Sequence, residues 1–261
     1  MTHTLQRLVP ELVAIARSAG AAAMRFYTGD MAVRRKRDAS PVTEADDAAE
    51  AIILDGLRKL TPDIPAISEE AVARGETATD ATSPPRWFWL VDPIDGTKEF
   101  VARNGEFTVN IGLVHDQRPV LGILHAPVSD TTYAACGPGT ATVRRGDAAP
   151  QPIRARKPPP DGVVVVASRS HGSKAATAAY LEQFRVAEKR LLGSALKFGL
   201  IAEGAADLYP RLGPTMEWDT CAGQAILEGA HGHVTTLNGG PLLYGKPRFE
   251  NPDFVARGDE P

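Results

Sequence analysis

The sequence predicts a protein of mixed α and β layers, divided into two sub-domains that meet at a cleft. Amphipathic helical patterns and short apolar, strand-like runs alternate along the chain, which is typical of layered α/β proteins. A segment rich in Pro, Ala and Arg, residues 146–162, separates two groups of such elements. We therefore predict an N-terminal sub-domain of residues 1–150 and a C-terminal sub-domain of residues 151–261.

The composition argues against several classes of protein. The chain has 261 residues, 43% hydrophobic and 23% charged, with a formal net charge of −3, and it lacks the basic balance of nucleic-acid-binding proteins. Its two cysteines, Cys136 and Cys221, favour a reducing, cytoplasmic compartment over a disulfide framework. We expect no signal peptide and no transmembrane helix, because no apolar run is long enough. Peripheral attachment to the inner membrane and assembly as a homodimer stay open.

The first elements are predicted to be helices. Apolar residues recur at helical spacing from Leu5 to Phe26, and this pattern ends near Gly29. A second helix is predicted after Thr43, a favoured N-cap type, with acids in its first turn, where the helix dipole stabilises them. A short strand follows in the stretch PAISEE, which ends in Glu69 and Glu70.

The stretch WLVDPIDGTKEF leads from a buried strand into two carboxylates. Asp92 precedes a proline, so we expect it to be extended at the strand end. Gly96 permits a tight reversal, and Thr97 begins the first turn of a predicted helix. This arrangement directs Asp92, Asp95 and the Ile94 carbonyl toward one point, near backbone N–H groups that favour an anion.

The rest of the chain predicts a meander followed by alternating elements. Residues 106–136 are predicted to form antiparallel strands with turns at 116–117 and 129–130. The stretch GVVVVASRSH is typical of a buried strand with a polar end. Helices are predicted over 173–184, 194–203 and 219–228, and a strand over 233–237.

Two neighbouring carboxylates repel each other, which costs free energy unless a positive charge neutralises them. A bound cation, an arginine or a shared proton would supply that charge. Oxygen ligands favour Mg²⁺, Mn²⁺ or Ca²⁺. From Asp92 and Asp95 alone, a role as caps of the following helix explains the pattern as well as a metal site does. Three more acids at predicted element ends, Asp46, Glu69 and Asp219, favour a common metal centre. Taken singly, each of these acids is also explained as a solvated surface acid or as a helix cap.

The motifs DPIDGTKEF, SEE, SPVTEAD and WDTCAGQAI together resemble those of the Mg²⁺-dependent, lithium-sensitive phosphatases of the inositol monophosphatase superfamily. The resemblance extends over essentially the whole chain. Within that superfamily, GTKEFVARNGEFTVNIGL, VVASRSH, GSALKFGLIAEGAADLYPRLGPTMEWDT and NPDF are most similar to the bacterial 3′(2′),5′-bisphosphate nucleotidases of the CysQ type. The resemblance implies an α-β-α-β-α sandwich of the inositol monophosphatase and fructose-1,6-bisphosphatase type.

The resemblance also implies roles for individual residues. One Mg²⁺ would be held by Glu69, Asp92 and the Ile94 carbonyl, and a second by Asp92, Asp95 and Asp219. A third, weaker Mg²⁺ near Glu69 is compatible with the pattern. The residues implied to orient or deprotonate the attacking water are Glu69 and a hydrogen-bonded pair, Thr97 and Asp46.

The implied nucleotide pocket lies largely in the second half. Its residues are Gly96, Thr97, Ser168, His171, Gly193, Ser194, Lys197 and Asp219. A helix start at Gly193-Ser194, with Lys197 one turn later, suits a second phosphate. Without the resemblance, His171 and Lys197 would be interpreted as surface side chains.

The expected reaction is removal of the 3′-phosphate of adenosine 3′,5′-bisphosphate, a by-product of sulfate assimilation, by direct attack of water. One alternative keeps the catalytic centre and changes the substrate to inositol monophosphate or a related sugar phosphate. The features against it are Lys98-Glu99-Phe100 and the segments SRSH and GSALKF. Another is a non-catalytic metal- or nucleotide-binding sensor. A complete water-activating set, Asp46, Glu69 and Thr97, argues against that one.

Overall fold

A computed structural model of the chain describes residues 5–27, 33–35, 41–76 and 85–259. Its helices are α1 (Val9–Tyr27), α2 (Glu44–Leu60), α3 (Glu69–Arg74), α4 (Thr97–Val101), α5 (Lys174–Leu181), α6 (Leu196–Ala202) and α7 (Cys221–Gly229). Its strands are β1 (Val33–Arg35), β2 (Pro41–Thr43), β3 (Ala66–Ser68), β4 (Trp87–Asp95), β5 (Thr108–His115), β6 (Arg118–Ala126), β7 (Thr131–Ala135), β8 (Thr142–Arg145), β9 (Gln151–Pro152), β10 (Val163–Ser168), β11 (Val186–Leu192), β12 (Leu208–Arg211), β13 (His233–Thr236) and β14 (Phe254–Arg257). None of the helices in these ranges is long and apolar enough to cross a membrane.

A seven-stranded sheet forms the core of the first half. Its strand order is β3-β4-β5-β6-β7-β8-β9, and every pairing except β3 with β4 is antiparallel. The helices α1 and α2 cover one face, where Leu12, Ile53 and Leu57 pack on Trp89 and Ile111. This burial follows from the apolar spacing of the two helices, which presents one continuous stripe to the sheet.

The second half contributes a five-stranded sheet of order β11-β10-β12-β14-β13. The helices α6 and α7 lie between the two sheets, since Phe198 and Ile226 share one core with Leu124 of the first sheet and Phe254 of the second. On the outer face, Leu181 of α5 joins a core with residues of β10 and β12. The layer order is thus α-β-α-β-α, which confirms the predicted fold class.

Two glycines on neighbouring strands let α7 approach the first sheet closely. Gly112 of β5 pairs with Gly122 of β6. A Cβ atom at Gly112 would lie 2.5 Å from Sγ of Cys221, and one at Gly122 would lie 2.3 Å from the carbonyl oxygen of Ala222. Any larger side chain at these positions would displace α7. The two glycines therefore set the distance between the first sheet and Asp219, which lies just before α7.

The elements differ from the sequence-based expectations in a few places. The predicted meander and the helices of the second half are present within a few residues of their expected bounds. The strands β1, β2, β8, β9, β11, β12 and β14 and the helix α3 were not predicted. The expected helix end at Gly29 and the side chain of Thr43 lie outside the described residues. Since β9 continues the first sheet beyond residue 150, the division into 1–150 and 151–261 stays a prediction.

Candidate active site

The strand β4 carries Asp92 and Asp95 on the same side of the sheet. Residues three apart in a regular strand face opposite sides. Here the pairing of β4 with β5 is irregular between these positions, because Asp92 is opposite Asn110 and Asp95 is opposite Thr108. Such an irregularity re-aims a side chain, so both carboxylates point into one cavity. The strand is longer than predicted and ends only at Asp95.

The two carboxylates do not cap α4, so the capping interpretation is wrong. The cap position is Gly96, at φ +96°, which makes no side-chain capping bond. Instead, Oδ1 of Asp92 accepts a hydrogen bond from the backbone N–H of Ile94 at 3.1 Å. Oδ2 of Asp95 accepts from Nδ2 of Asn110 at 3.1 Å and from the backbone N–H of Ala195 at 2.5 Å.

Asp219 brings a third carboxylate from the second half. The N-cap position of α7 is Thr220, and Oδ2 of Asp219 accepts from the backbone N–H of Met216 at 2.9 Å, so the capping interpretation of Asp219 is also wrong. One carboxylate oxygen from each of Asp92, Asp95 and Asp219 lies within 4.8 Å of the other two. The three acids therefore form a compact group of hard oxygen donors.

The electrostatics of this group fit a divalent cation. Asp92 is 1% exposed. Its burial, followed by the negative charges of Glu69, Asp95, Asp219 and Asp46, raises the pKa of its carboxyl well above the ordinary value. Burial, then Asp95 and Glu69, raises the pKa of Asp219 in the same direction. Carboxylates that repel one another in a buried site either hold protons or bind a cation, and oxygen donors suit Mg²⁺.

The two remaining predicted acids lie on helices beside this group. Glu69 is the first residue of α3 and lines the cavity. The preceding Ser68 caps α3 by accepting a hydrogen bond from the backbone N–H of Ala71. Asp46 is buried in the first turn of α2, and its charge acts on Asp92 although it does not line the cavity.

Thr97, the first residue of α4, lies at the same turn as the two β4 carboxylates. Its Oγ1 donates to the carbonyl oxygen of Ile94 at 3.3 Å. The implied pairing of Thr97 with Asp46 stays a prediction.

One cavity of about 370 Å³ brings the predicted site residues together. Apart from Asp46, all of them line it: Glu69, Asp92, Ile94, Asp95, Gly96, Thr97, Ser168, His171, Gly193, Ser194, Lys197 and Asp219. Sequence reasoning assigned no role in the site to several other lining residues, among them Lys98, Glu99, Tyr209 and Arg211. The acids of the first half and the polar groups of the second half thus face one shared, partly open cavity.

Two buried cationic side chains form the wall contributed by the second half. Lys197 is 3% exposed and its Nζ donates to the carbonyl oxygens of Leu192 and Ser194. Burial lowers the pKa of Lys197 to about 8, and the charge of Asp95 opposes this shift. Arg211 is 7% exposed, and its Nε has no hydrogen-bond partner among the described residues. A charged residue inside the apolar run LYPRL was the signal that would have identified it.

The loop before α6 has an unusual backbone. Ser194 has φ +50°, a left-handed conformation that costs a non-glycine residue free energy and is often found at functional sites. A Cβ atom at Gly193 would lie 2.5 Å from Cγ of Glu99. The glycine therefore permits the second half to approach α4.

His171 lies at the mouth of the cavity, opposite α4. Nζ of Lys98 is 3.0 Å from its Nε2. Enclosure by protein atoms, followed by the positive charges of Lys98 and Arg211, lowers the pKa of His171. We therefore expect its ring to be neutral at pH 7.

The chain is similar to known proteins along nearly its whole length. A profile of the inositol monophosphatase family matches residues 4–256. A 3′(2′),5′-bisphosphate nucleotidase CysQ of Escherichia coli O6:H1 is 45% identical over 259 residues, which cover 95% of this chain and 98% of that protein. The crystal structure of CysQ from Bacteroides thetaiotaomicron superposes with a TM-score of 0.80 at 33% identity, covering 98% of both chains. An IMPase from Thermotoga maritima has a TM-score of 0.74 at 25% identity, over 97% of this chain and 92% of that one.

Proposed function

The chain belongs to the inositol monophosphatase family, and from this premise we propose that it is a Mg²⁺-dependent 3′(2′),5′-bisphosphate nucleotidase. The reaction is hydrolysis of adenosine 3′,5′-bisphosphate to AMP and phosphate. The name and the 45% identity of the E. coli relative support this choice of substrate. The proposed setting is removal of this by-product during sulfate assimilation in the cytoplasm.

A single observation carries the proposal: one cavity is lined both by an acidic group, the acidic wall, and by buried cations, the cationic wall. Asp92, Asp95 and Asp219 form the first, while Lys197 and Arg211 belong to the second. A substrate with two phosphates uses both walls, one phosphate at the acids through a cation and the other at the buried cations. An inositol monophosphate has no second phosphate, so the cationic wall would have no equivalent partner.

The acidic wall is proposed to hold two Mg²⁺ ions, with a third and weaker site near Glu69. Glu69, Asp92 and the Ile94 carbonyl would hold one ion, and Asp92, Asp95 and Asp219 the other. When bound, such ions neutralise phosphate charge and lower the pKa of water at the site.

Three groups of the chain are proposed to act on the attacking water. Glu69 and the pair of Thr97 with Asp46 would orient it and accept its proton. The Thr97 hydroxyl is already held, through its hydrogen bond to the Ile94 carbonyl, against the metal turn (residues 92–96). Attack would be in line with the leaving oxygen, since phosphoryl transfer depends mainly on positioning and electrostatic stabilisation.

The cysteines give no reason to propose a covalent intermediate. Cys136 and Cys221 are both buried, and burial raises the pKa of each thiol. A thiol with a raised pKa is not a thiolate at neutral pH and is therefore a poor nucleophile. Neither cysteine lines the cavity. Water is the proposed nucleophile.

The proposal is tested by phosphate release with Mg²⁺ from adenosine 3′,5′-bisphosphate and from inositol 1-phosphate in parallel, each with and without Li⁺. We expect strong preference for the nucleotide and inhibition by Li⁺. Preference for the inositol ester would preserve the metal site and overturn the proposed role of the cationic wall. Tight nucleotide binding with no release from either ester would instead support the binding-protein alternative.

A further inference from the structure

A carboxylate outside the cavity joins the two halves of the protein. Glu106 lies between α4 and β5, in the half that carries the metal turn. Its Oε1 is 2.6 Å from Nη2 of Arg169, which follows β10. Its Oε2 accepts the backbone N–H of Gly193, which precedes α6, at 2.8 Å. One side chain of the first half therefore contacts two separate loops of the second half.

The backbone of Glu106 occupies the same junction. Its carbonyl oxygen would lie 3.1 Å from a Cβ atom at Gly96 and 2.8 Å from one at Gly193. These two glycines belong to opposite halves, and Gly96 caps the helix that follows the metal turn. This approach is too close for a Cβ atom at Gly193 and tight for one at Gly96, so the relative position of the two loops depends on this contact.

Arg169 extends the connection within the second half. The same Nη2 donates to the carbonyl oxygen of Leu191 at 2.9 Å, and the backbone N–H of Arg169 donates to Leu192 at 3.2 Å. The ends of β10 and β11 are thus bound together where the chain turns toward α6. A guanidinium that bridges a carboxylate and a carbonyl fixes geometry more strictly than a single neutral hydrogen bond.

We infer that Glu106 is a positioning residue for recognition of the second phosphate. It holds the loop after β10, residues 169–171, and the loop before α6, residues 193–195, against the metal turn. This contact sets the distance between the acidic wall and Lys197 in the first turn of α6. Glu106 does not line the cavity, so it acts through the loops and does not touch the substrate. The inference rests on the proposed function for the identity of the substrate.

The test compares Glu106→Gln with Glu188→Gln, which removes the charge of an exposed glutamate that pairs with Arg190 away from the cavity. For Glu106→Gln we expect KM for adenosine 3′,5′-bisphosphate to rise about tenfold, the effect of losing one charge-assisted hydrogen bond. KM for adenosine 3′-monophosphate, kcat and the Mg²⁺ dependence should change less than about twofold, because the metal turn is untouched. Glu106→Asp keeps the charge and should raise KM for the bisphosphate less than Glu106→Gln does. Glu188→Gln should behave as wild type. Equal increases of KM for the bisphosphate and the monophosphate would overturn the inference.

Hydrogen exchange in the ligand-free protein tests the same inference without any activity. In Glu106→Gln, the amides of residues 193–196 and 169–171 should exchange faster than in wild type, while the amides of α2 should not change. Unchanged exchange in both loops would contradict the inference. If Glu106→Gln fails to fold, Arg169→Gln removes the same ion pair by changing its more exposed partner. The KM comparison and the hydrogen exchange of the two loops then decide in the same way. Failure of wild type to hydrolyse the bisphosphate would overturn the proposed function alone, and the exchange result would still decide the role of Glu106.

Discussion

The backbone N–H of Ala195 donates a hydrogen bond to Oδ2 of Asp95 over 2.5 Å, although the two residues are 100 positions apart. Asp95 is a proposed metal ligand, and Ala195 lies two residues before Lys197. Asp95 thus belongs to the metal turn and also contacts the loop that leads to Lys197, the proposed donor to the second phosphate. A change at Asp95 is therefore expected to affect both walls of the cavity.

Asp95→Asn should abolish turnover while leaving the fold intact. The amide keeps an oxygen that can accept from Ala195 but loses the charge that a cation requires. We expect kcat to fall at least about 100-fold, the upper end of the effect of losing an outer-shell partner. The measurement is phosphate release, with circular dichroism as the check on folding. Asp116→Asn, at an exposed residue that pairs with Arg86, is the matched control, and full activity of Asp95→Asn would remove Asp95 from the metal site.

Asp92→Asn should stabilise the metal-free protein. Burial and neighbouring carboxylates raise the pKa of Asp92, so its contribution to folding is present at acid pH and is lost as pH rises through the raised pKa. Removing the ionisable group should therefore raise the unfolding free energy at pH 8, on the order of 1 kcal/mol, as relief of an uncompensated buried charge does. The difference should be smaller at pH 5, because a falling pH protonates the wild-type carboxyl, whose pKa is raised.

Thermal melts at both pH values, with and without Mg²⁺, measure this effect. In Mg²⁺ the order should reverse, because only wild type gains stability from the ion. A metal-free Asp92→Asn protein that melts below wild type at pH 8 would contradict the charge-repulsion account.

Mg²⁺ binding should release protons. The pKa values of Asp92 and Asp219 are raised in the metal-free protein, whereas a metal ligand must be ionised. The apparent affinity for Mg²⁺ should therefore be weaker at pH 6 than at pH 8. Calorimetric titrations in two buffers of different ionisation enthalpy measure the protons released. Heats that do not depend on the buffer would show that the carboxylates are already ionised before the ion binds.

The sequence predicted the acidic wall better than the cationic one, for a physical reason. Asp92, Asp95, Glu69 and Asp219 lie at or near the ends of elements, where local rules for proline, glycine and caps indicate a reversal of the chain. Arg211 is the last residue of β12, a strand that was not predicted, and its role depends on which distant loop lies opposite. No local pattern encodes that pairing.

The missed elements have a related cause. β11 has the sequence VAEKRLL and is largely exposed, so it lacks the apolar alternation of a half-buried strand. It forms because β10 supplies a parallel partner. Asn110 was missed for the opposite reason, because TVNIGLVH reads as an ordinary buried strand. Its amide donates to Asp95 only because the irregular pairing of β4 brings that carboxylate within 3.1 Å.

Lys197→Ala should raise KM for adenosine 3′,5′-bisphosphate more than for adenosine 3′-monophosphate. The buried ammonium is a proposed donor to the second phosphate, and a lost charge-assisted hydrogen bond of about 1.5–3 kcal/mol corresponds to roughly 10- to 100-fold in KM. Because burial lowers the pKa of Lys197 to about 8, its charge is present below that pH and is lost above it. Wild-type KM for the bisphosphate should therefore increase above about pH 8, and this increase should be absent in the variant.

Steady-state kinetics from pH 6 to pH 10 with both substrates, and Lys59→Ala on α2 as an exposed-lysine control, measure this dependence. Binding of the phosphate dianion stabilises the ammonium, so the pH at which kcat changes should lie above the pH at which kcat/KM changes. Equal effects of Lys197→Ala on the bisphosphate and the monophosphate would exclude Lys197 as the group that distinguishes them. Arg211, the other buried cation of the cavity, would then be the remaining candidate, and Arg211→Met would be expected to show the selective rise in KM without the dependence on pH.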